Sequence, residues 1–132
     1  MYVNIAIFIL RLGIGIIFMA HGSQKLFGAF GGSGLKGFSG MLDGLGFKPA
    51  LFWAWLVALS EGLGGLFIAL GIIPRISAFL IASTMVVAIL KIHGPKGFFM
   101  SGGGFEYQFL ILMSCICLMI GGGGKISIFN KF

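Results

Sequence analysis

The chain has 132 residues, of which 58% are hydrophobic and only 9% are charged, and it carries a formal net charge of +6. A soluble surface normally needs about a quarter or more charged side chains, so this composition excludes an ordinary soluble domain and predicts a membrane protein within a lipid bilayer. The basic residues are scattered among the ends of apolar runs and form no continuous basic surface, which excludes a nucleic-acid partner and favours contacts with anionic headgroups.

Four apolar runs predict four membrane-spanning helices, at about 3–27, 49–70, 74–92 and 105–120. A proline opens the second and third helices, where its missing N–H does no harm, and glycines end the second and the fourth. We interpret the first run as a span and not as a removable signal sequence, because Arg11 interrupts its apolar part and no cleavage pattern is present near Ala20. Four spans with short connections use the whole length, so we expect a single domain over 1–132.

Continuous apolar runs without the alternation of barrel strands indicate an all-α, polytopic membrane four-helix bundle. The longest connection, 28–48, contains apolar residues at helical spacing: Leu35, Phe38, Met41, Leu42 and Leu45. We therefore predict a short amphipathic helix over about 35–45, lying at the membrane interface between the first and second helices. Two roles stay open for this helix, which either packs on the bundle or covers a site as a lid.

Two charged residues lie within the predicted spans. Glu61 is near the centre of the second span and Arg11 is near the middle of the first apolar run, so both are expected near the bilayer midplane. A charge at that depth costs roughly 2.5–3.5 kcal/mol, and such residues usually face the bundle interior and find a partner. We predict that Arg11 and Glu61 pair. The pair either fixes the register of the helices or handles protons and anchors a ligand, and both roles stay open.

Antiparallel spans collect polar residues on one side of the membrane. The residues expected on that side are His21, Lys25, Lys48, Lys91, His93, Lys96, Glu106 and Tyr107. The opposite side is sparse, with mainly Arg75, Lys125 and Lys131. This asymmetry predicts one polar cavity, lined by His21, Lys25, Glu61 and Glu106 and narrowing toward Arg11. For Glu106, a role in capping the fourth helix stays open beside a role in the cavity.

Other kinds of site fit the sequence less well. His21 and His93 would suit the two axial positions of a haem, but glycines flank both residues at helix ends, which argues against haem. Cys115 and Cys117 point about 200° apart on a helix, so they form neither a disulfide nor a metal chelate. No metal-ligand spacing is present, and the glycine run that begins at Gly121 lacks the Ser or Thr of a phosphate loop.

Several short segments recur in an order and spacing that is typical of one family. They are Arg11 to Gly15, His21 to Leu26, Glu61 to Gly71, Pro74-Arg75 and Gly103 to Tyr107. Together they cover nearly the whole chain and resemble the DoxX family of small four-helix membrane proteins, with its related DoxD group. The family often follows its last glycine-rich turn with Ser-Leu-Asp, where this chain has Ser127-Ile128-Phe129, so no role of that aspartate carries over.

The resemblance implies a link to membrane oxidoreductases. DoxX relatives are associated with such complexes, and the DoxD group includes a subunit of a thiosulfate:quinone oxidoreductase. The positions that match the family pattern are Arg11, His21, Lys25, Glu61 and Glu106. We therefore expect a subunit or accessory protein of a quinone-linked membrane oxidoreductase system, located in a bacterial or archaeal cytoplasmic (inner) membrane.

In this hypothesis Glu61 and His21 are the catalytic residues that exchange protons. The residues expected to bind the substrate are Arg11, Lys25, Glu106 and Tyr107. No electron carrier is evident in the sequence, so any redox reaction would need a bound quinone, the candidate cofactor, or a redox partner subunit. Self-association into a homo-oligomer stays open. The alternative function is a non-enzymatic module that binds or transports a lipid or another small molecule.

Overall fold

The computed structural model describes residues 2–129 and 131, and the regular structure in that part of the chain is helical. The α-helices are α1 (Tyr2–Phe27), α2 (Gly34–Gly44), α3 (Ala50–Leu70), α4 (Pro74–Ala88) and α5 (Glu106–Gly121). The α4 helix continues as a π-helical turn, Ile89–His93. Short 3-10 turns occupy Ala29–Gly31, Gly94–Lys96 and Met100–Gly102. The predicted all-α membrane fold is therefore confirmed, with α2 as the short helix between the first two long ones.

Within the described residues, three helical segments are long and apolar enough to cross a bilayer: Tyr2–Phe27, Ala50–Leu70 and Pro74–Lys96. The α5 helix is also apolar but has 16 residues, which is slightly below the usual range for a span of about 17–25 residues. The expectation of one domain over 1–132 includes residues 1, 130 and 132, which lie outside the described residues, and it stays a prediction.

Glycines set the distance and the register between α1 and α3. A Cβ atom added to Gly22 would lie 2.4 Å from the Cα of Gly62, and one added to Gly15 would lie 2.6 Å from the carbonyl oxygen of Gly65 and the Cβ of Ala69. Such contacts leave no room for a side chain, so the two backbones touch directly, as is common where membrane helices pack. The antiparallel register that results places Gly22 beside Gly62 and Gly15 beside Ala69.

The core lies between α1, α3, α4 and α5. Its largest fully buried apolar side chains are Phe18, Ile68, Ile81 and Leu118. Lipid tails are as apolar as these side chains, so their close packing, and not removal from water, supplies the stabilisation. In α5, Cys115 is buried in this core and Cys117 is exposed, which confirms that the two thiols do not meet.

The α2 helix packs across the start of α3. Phe38 and Leu42 are buried together with Ala54, and Trp53 and Phe47 border the same cluster. This arrangement confirms the amphipathic helix predicted from the spacing of its apolar residues. Its depth relative to the membrane and its service as a lid stay predictions.

The segment that follows α5 returns along the end of α3. Phe129 donates its N–H to the carbonyl oxygen of Gly71, and Ile73 donates its N–H to the carbonyl oxygen of Phe129. Ile128 similarly donates to Leu70. We call residues 122–129 the C-terminal segment. It covers the end of the bundle opposite α2 and brings backbone carbonyl groups close to α1.

Candidate functional site

A buried ion pair joins α1 to α3. The Nζ atom of Lys25 lies 2.7 Å from both carboxylate oxygens of Glu61. The Glu61 side chain is only 3% exposed, whereas the Lys25 side chain is 24% exposed. Ala54 and Ala58 share the buried face of α3 with Glu61, so the carboxylate points into the bundle as the sequence predicted. Its charge is balanced by a lysine that reaches inward from the end of α1.

The predicted pairing of Arg11 with Glu61 is wrong. Arg11 is buried but bonds to main-chain carbonyls: Nε lies 2.9 Å from the oxygen of Ile68, and Nη1 lies 2.6 Å from the oxygens of Gly123 and Ile126. Nη2 lies 3.2 Å from the oxygen of Ala69. The guanidinium therefore joins the last turn of α3 to the C-terminal segment.

The register of α1 and α3 explains this difference. The α1 helix extends to Phe27, and its glycine contacts place Gly15 level with Ala69. Arg11 therefore lies one turn beyond that level, beside the C-terminal end of α3, where helical carbonyls have no intrahelical donor. Glu61 lies near the level of Gly22 and is within reach of Lys25 instead.

A cavity of about 610 Å³ opens beside the Lys25–Glu61 pair. Its walls come from α1, α2, α3, α4 with its π-helical turn, and the start of α5. The polar residues among its walls are His21, Gln24, Lys25, Ser33, Ser60, Glu61, Ser83, Thr84, His93, Tyr107 and Gln108. Four of the six predicted site residues, His21, Lys25, Glu61 and Tyr107, therefore lie around one space. The other two, Arg11 and Glu106, do not belong to its walls.

Glu106 orders a connection and does not line the cavity, which corrects the predicted set. Its Oε1 accepts a hydrogen bond from the N–H of Met100 at 2.9 Å, and its own N–H donates to the carbonyl oxygen of Phe98 at 2.8 Å. Because Met100 belongs to the loop before α5, the carboxylate stabilises that loop and does not cap the helix. The predicted narrowing of the cavity toward Arg11 is also wrong, since Arg11 lies at the opposite end of α3.

Two described side chains at the start of α5 carry buried polar atoms without partners. The His21 ring packs between Phe18 and Tyr107, with ring centroids 5.9 Å and 6.2 Å away. Among the described residues, the Tyr107 hydroxyl and Oε1 of Gln108 are buried without a hydrogen-bond partner. Buried polar atoms are normally hydrogen-bonded. Here they offer a donor and acceptors to a polar group placed in the cavity.

The structure adds His93, which the sequence suggested only as a haem ligand. Its Nδ1 lies 2.7 Å from the carbonyl oxygen of Gly103. A carbonyl accepts hydrogen bonds only, so Nδ1 carries the hydrogen, and in the neutral ring Nε2 is left as an acceptor. The residue belongs to the π-helical turn, a feature that is frequent at functional sites. In the sequence, the position of His93 beside Gly94-Pro95 was the signal that could have pointed to this residue. It did not predict the π-helical turn.

The α2 helix covers the ion pair. The Nζ atom of Lys25 lies 4.8 Å from the centre of the Phe38 ring, a distance that allows a cation–π interaction. Met41 and Leu42 extend the same wall of the cavity. Spacing predicted that Phe38 and Leu42 would share a face, but it did not predict that this face would contact Lys25.

The completed site combines a largely apolar space with the Lys25–Glu61 pair, His21 and Tyr107 in its walls. Lys25 can neutralise or bind an anionic or carbonyl oxygen, while Glu61 and His21 can exchange protons. The Lys25 side chain is partly exposed, so the pair is not fully enclosed by the bundle. The arrangement suits an amphipathic molecule with a polar head and an apolar body.

Comparison with known proteins gives a family and a relative. The sequence profile of the family described as DoxX matches residues 6–94, which is more than half of the chain. The chain is similar to a protein of Bacillus subtilis (strain 168) named "Putative oxidoreductase CatD", with 33% identity over 119 residues, 90% of this chain and 81% of the relative. No solved structure matches the chain.

Proposed function

Because this chain belongs to the DoxX family, we propose that it is a subunit or accessory protein of a quinone-linked membrane oxidoreductase. The name of the Bacillus subtilis relative supports the oxidoreductase part of this proposal. The observation that carries the quinone part is the Lys25–Glu61 ion pair at the edge of a large apolar cavity. A quinone has the matching chemistry, since it combines polar carbonyl oxygens with an apolar body.

In the proposed complex the cavity would hold the quinone ring, with Lys25 and the Tyr107 hydroxyl available to bind its carbonyl oxygens. Reduction to the quinol takes up two electrons and two protons, one proton at each oxygen. A reductant held by a partner subunit supplies the electrons. Glu61 and His21 would exchange the protons, and Lys25 would hold and electrostatically stabilise the oxygen that receives them. The same proposal places the protein in a bacterial or archaeal cytoplasmic membrane.

Quinone retention tests this proposal. Wild type, Glu61→Gln and the control Asp43→Asn are purified in mild detergent, and bound quinone is extracted and identified alongside native mass spectrometry. Asp43 is an exposed acid on α2 that pairs with Lys48, so its substitution makes the same chemical change outside the cavity. All three are compared at a temperature at which each is fully folded. We expect retained quinone in wild type and Asp43→Asn and a loss in Glu61→Gln. Equal retention in all three, or none in wild type, contradicts the proposal.

A non-enzymatic role in binding or transporting a lipid or small molecule is the second candidate. The observation that favours it is the position of α2 over the Lys25–Glu61 pair, because a covering helix can regulate access to a pore or pocket. Flux of a small anion or lipid into liposomes that contain only this protein, without any electron transfer, would support transport. Reduction of added quinone that depends on a partner protein would support the first proposal.

A further inference from the structure

A second concave surface, of about 260 Å³, lies on the outer face of the bundle between α3 and α4. We call it the α3–α4 groove. Its residues are Leu56, Leu59, Ser60, Leu63, Gly64, Phe67, Ile73, Ser77 and Leu80. The apolar side chains along its edges are exposed, for example Leu63 at 48% and Leu56 at 45%. In a membrane these side chains face lipid tails.

The groove adjoins the cavity that contains the Lys25–Glu61 pair. Leu56, Ser60 and Leu80 belong to the walls of both spaces. Ser60 directly precedes Glu61 in α3, so the shared region lies next to the buried carboxylate. The cavity and the groove therefore share a boundary between α3 and α4, formed by these side chains.

The floor of the groove presents little polar chemistry. A Cβ atom on Gly64 would lie 3.4 Å from Cγ1 of Ile81, so α3 and α4 are nearly in contact there and the groove is shallow. The hydroxyl of Ser77 already donates to the carbonyl oxygen of Ile72 at 3.3 Å. From Leu56 to Phe67 the groove follows α3 for about 16 Å at the rise of an α-helix. Its shape and lining suit one extended apolar chain.

We propose that the α3–α4 groove holds the isoprenoid tail of a quinone whose head occupies the cavity. This inference rests on the proposed function, because the head must be bound by Lys25 and Glu61 for the tail to leave past Ser60. The ligand class is then a long-tailed membrane quinone that enters sideways from the bilayer. Lipid surrounds the tail with an equally apolar medium, so moving the tail into the groove gains nothing from removal from water. The groove adds affinity through close packing against the tail.

Two quinones with the same ring but different tails separate the contribution of the head to binding affinity from that of the tail. One carries a single isoprene unit and the other a full-length isoprenoid tail, and equilibrium binding is measured with the protein in lipid nanodiscs. Leu63→Trp fills the groove, and Leu110→Trp is the control because Leu110 is a lipid-facing leucine of α5, 65% exposed. We expect wild type and Leu110→Trp to bind the long-tailed quinone about tenfold more tightly than the short-tailed one. Leu63→Trp should bind both with the short-tailed affinity.

The outcomes distinguish this inference from the function on which it rests. If wild type binds both quinones equally, or if Leu63→Trp keeps the preference for the long tail, the tail lies elsewhere and ordinary lipid fills the groove, while head binding stands. If wild type binds neither quinone, both proposals fail.

A photoreactive quinone gives a second measurement that does not depend on the variant. With the reactive group on its tail, it should label α3 peptides that contain Leu63 and Phe67, and excess short-tailed quinone should displace the label. Label confined to α1 or α5 overturns the inference.

Discussion

The Lys25–Glu61 pair allows a charged carboxylate to lie in the middle of α3. A carboxylate in a membrane bundle is costly unless a partner offsets its desolvation. Lys25 supplies that partner from the end of α1, with its ammonium group over the Phe38 ring and its side chain partly exposed. This arrangement holds a charge pair in the cavity wall while one member keeps access to the polar side of the bundle.

A double-mutant cycle tests the energetic coupling of this pair. In Lys25→Met, the nearly fully buried carboxylate loses its partner, and we expect a loss of about 3 kcal/mol in the free energy of unfolding. Glu61→Gln should cost less, because the Lys25 side chain that remains is partly exposed. The double variant should cost less than the sum of the two single changes. Unfolding in mild detergent measures all four proteins, and strictly additive losses would show that the pair is not coupled.

Arg11 acts at the other end of α3 as a donor to four carbonyl oxygens. We expect Arg11→Leu to cost at least about 3 kcal/mol, since hydrogen bonds from a charged donor contribute roughly 1.5–3 kcal/mol each. Hydrogen exchange in the C-terminal segment should become faster, and Arg11→Lys should restore part of the protection. Exchange that is unchanged in Arg11→Leu would mean that other contacts hold this segment in place.

The separation of Arg11 from Glu61 has its own thermodynamic signature. Because the two side chains share no hydrogen-bond partner, the effects of Arg11→Leu and Glu61→Gln should add to within about 0.5 kcal/mol. This cycle uses the same unfolding measurement as the Lys25–Glu61 cycle. A coupling between Arg11 and Glu61 as large as that of the Lys25–Glu61 pair would be inconsistent with the structure.

At the scale of elements, the interface of α1 with α3 controls the site. Its direct backbone contacts at Gly15 and Gly22 bring Lys25 within reach of Glu61. The π-helical turn at the end of α4 then directs His93 toward the same cavity. Helix packing at small residues thus determines which polar groups meet.

Two glycines of α1 provide a matched test of that interface. In Gly22→Ala the added Cβ would lie 2.4 Å from the Cα of Gly62, so the helices must separate, and we expect a loss of about 1–3 kcal/mol. At Gly13 a Cβ meets no atom within 4 Å, so Gly13→Ala should be neutral or should stabilise α1 by up to about 1 kcal/mol. Thermal unfolding of both variants is the measurement. Similar midpoints for the two would contradict a close α1–α3 contact.

For the whole molecule, the distribution of basic residues predicts the orientation in the membrane. The cavity side carries Lys25, Lys36, Lys48, Lys91 and Lys96, and the opposite side carries Arg75, Lys125 and Lys131. Since cytoplasmic loops are enriched in lysine and arginine, the cavity side should face the cytoplasm and both termini should face outward.

A reporter fused after Phe132, which lies outside the described residues, measures this orientation. We expect activity from a reporter that works only outside the cytoplasm. Activity from a reporter that works only in the cytoplasm would reverse the assignment and would place the cavity mouth on the outer side. A fusion after Gly44 in α2 is the matched control and should give the opposite result at either orientation.

The sequence by itself determined the helices, because the length of an apolar run and the glycines and prolines at its ends act locally. It also determined that Glu61 faces inward and that His21, Lys25 and Tyr107 gather on one side, since alternating spans leave no other arrangement. Only the tertiary structure decided that Glu61 pairs with Lys25. Each residue of shift between two helices changes relative depth by about 1.5 Å, and the glycine contacts that set this shift are not visible in hydropathy. The carbonyl partners of Arg11 likewise come from residues far apart in the chain, which meet only when the C-terminal segment returns to α3.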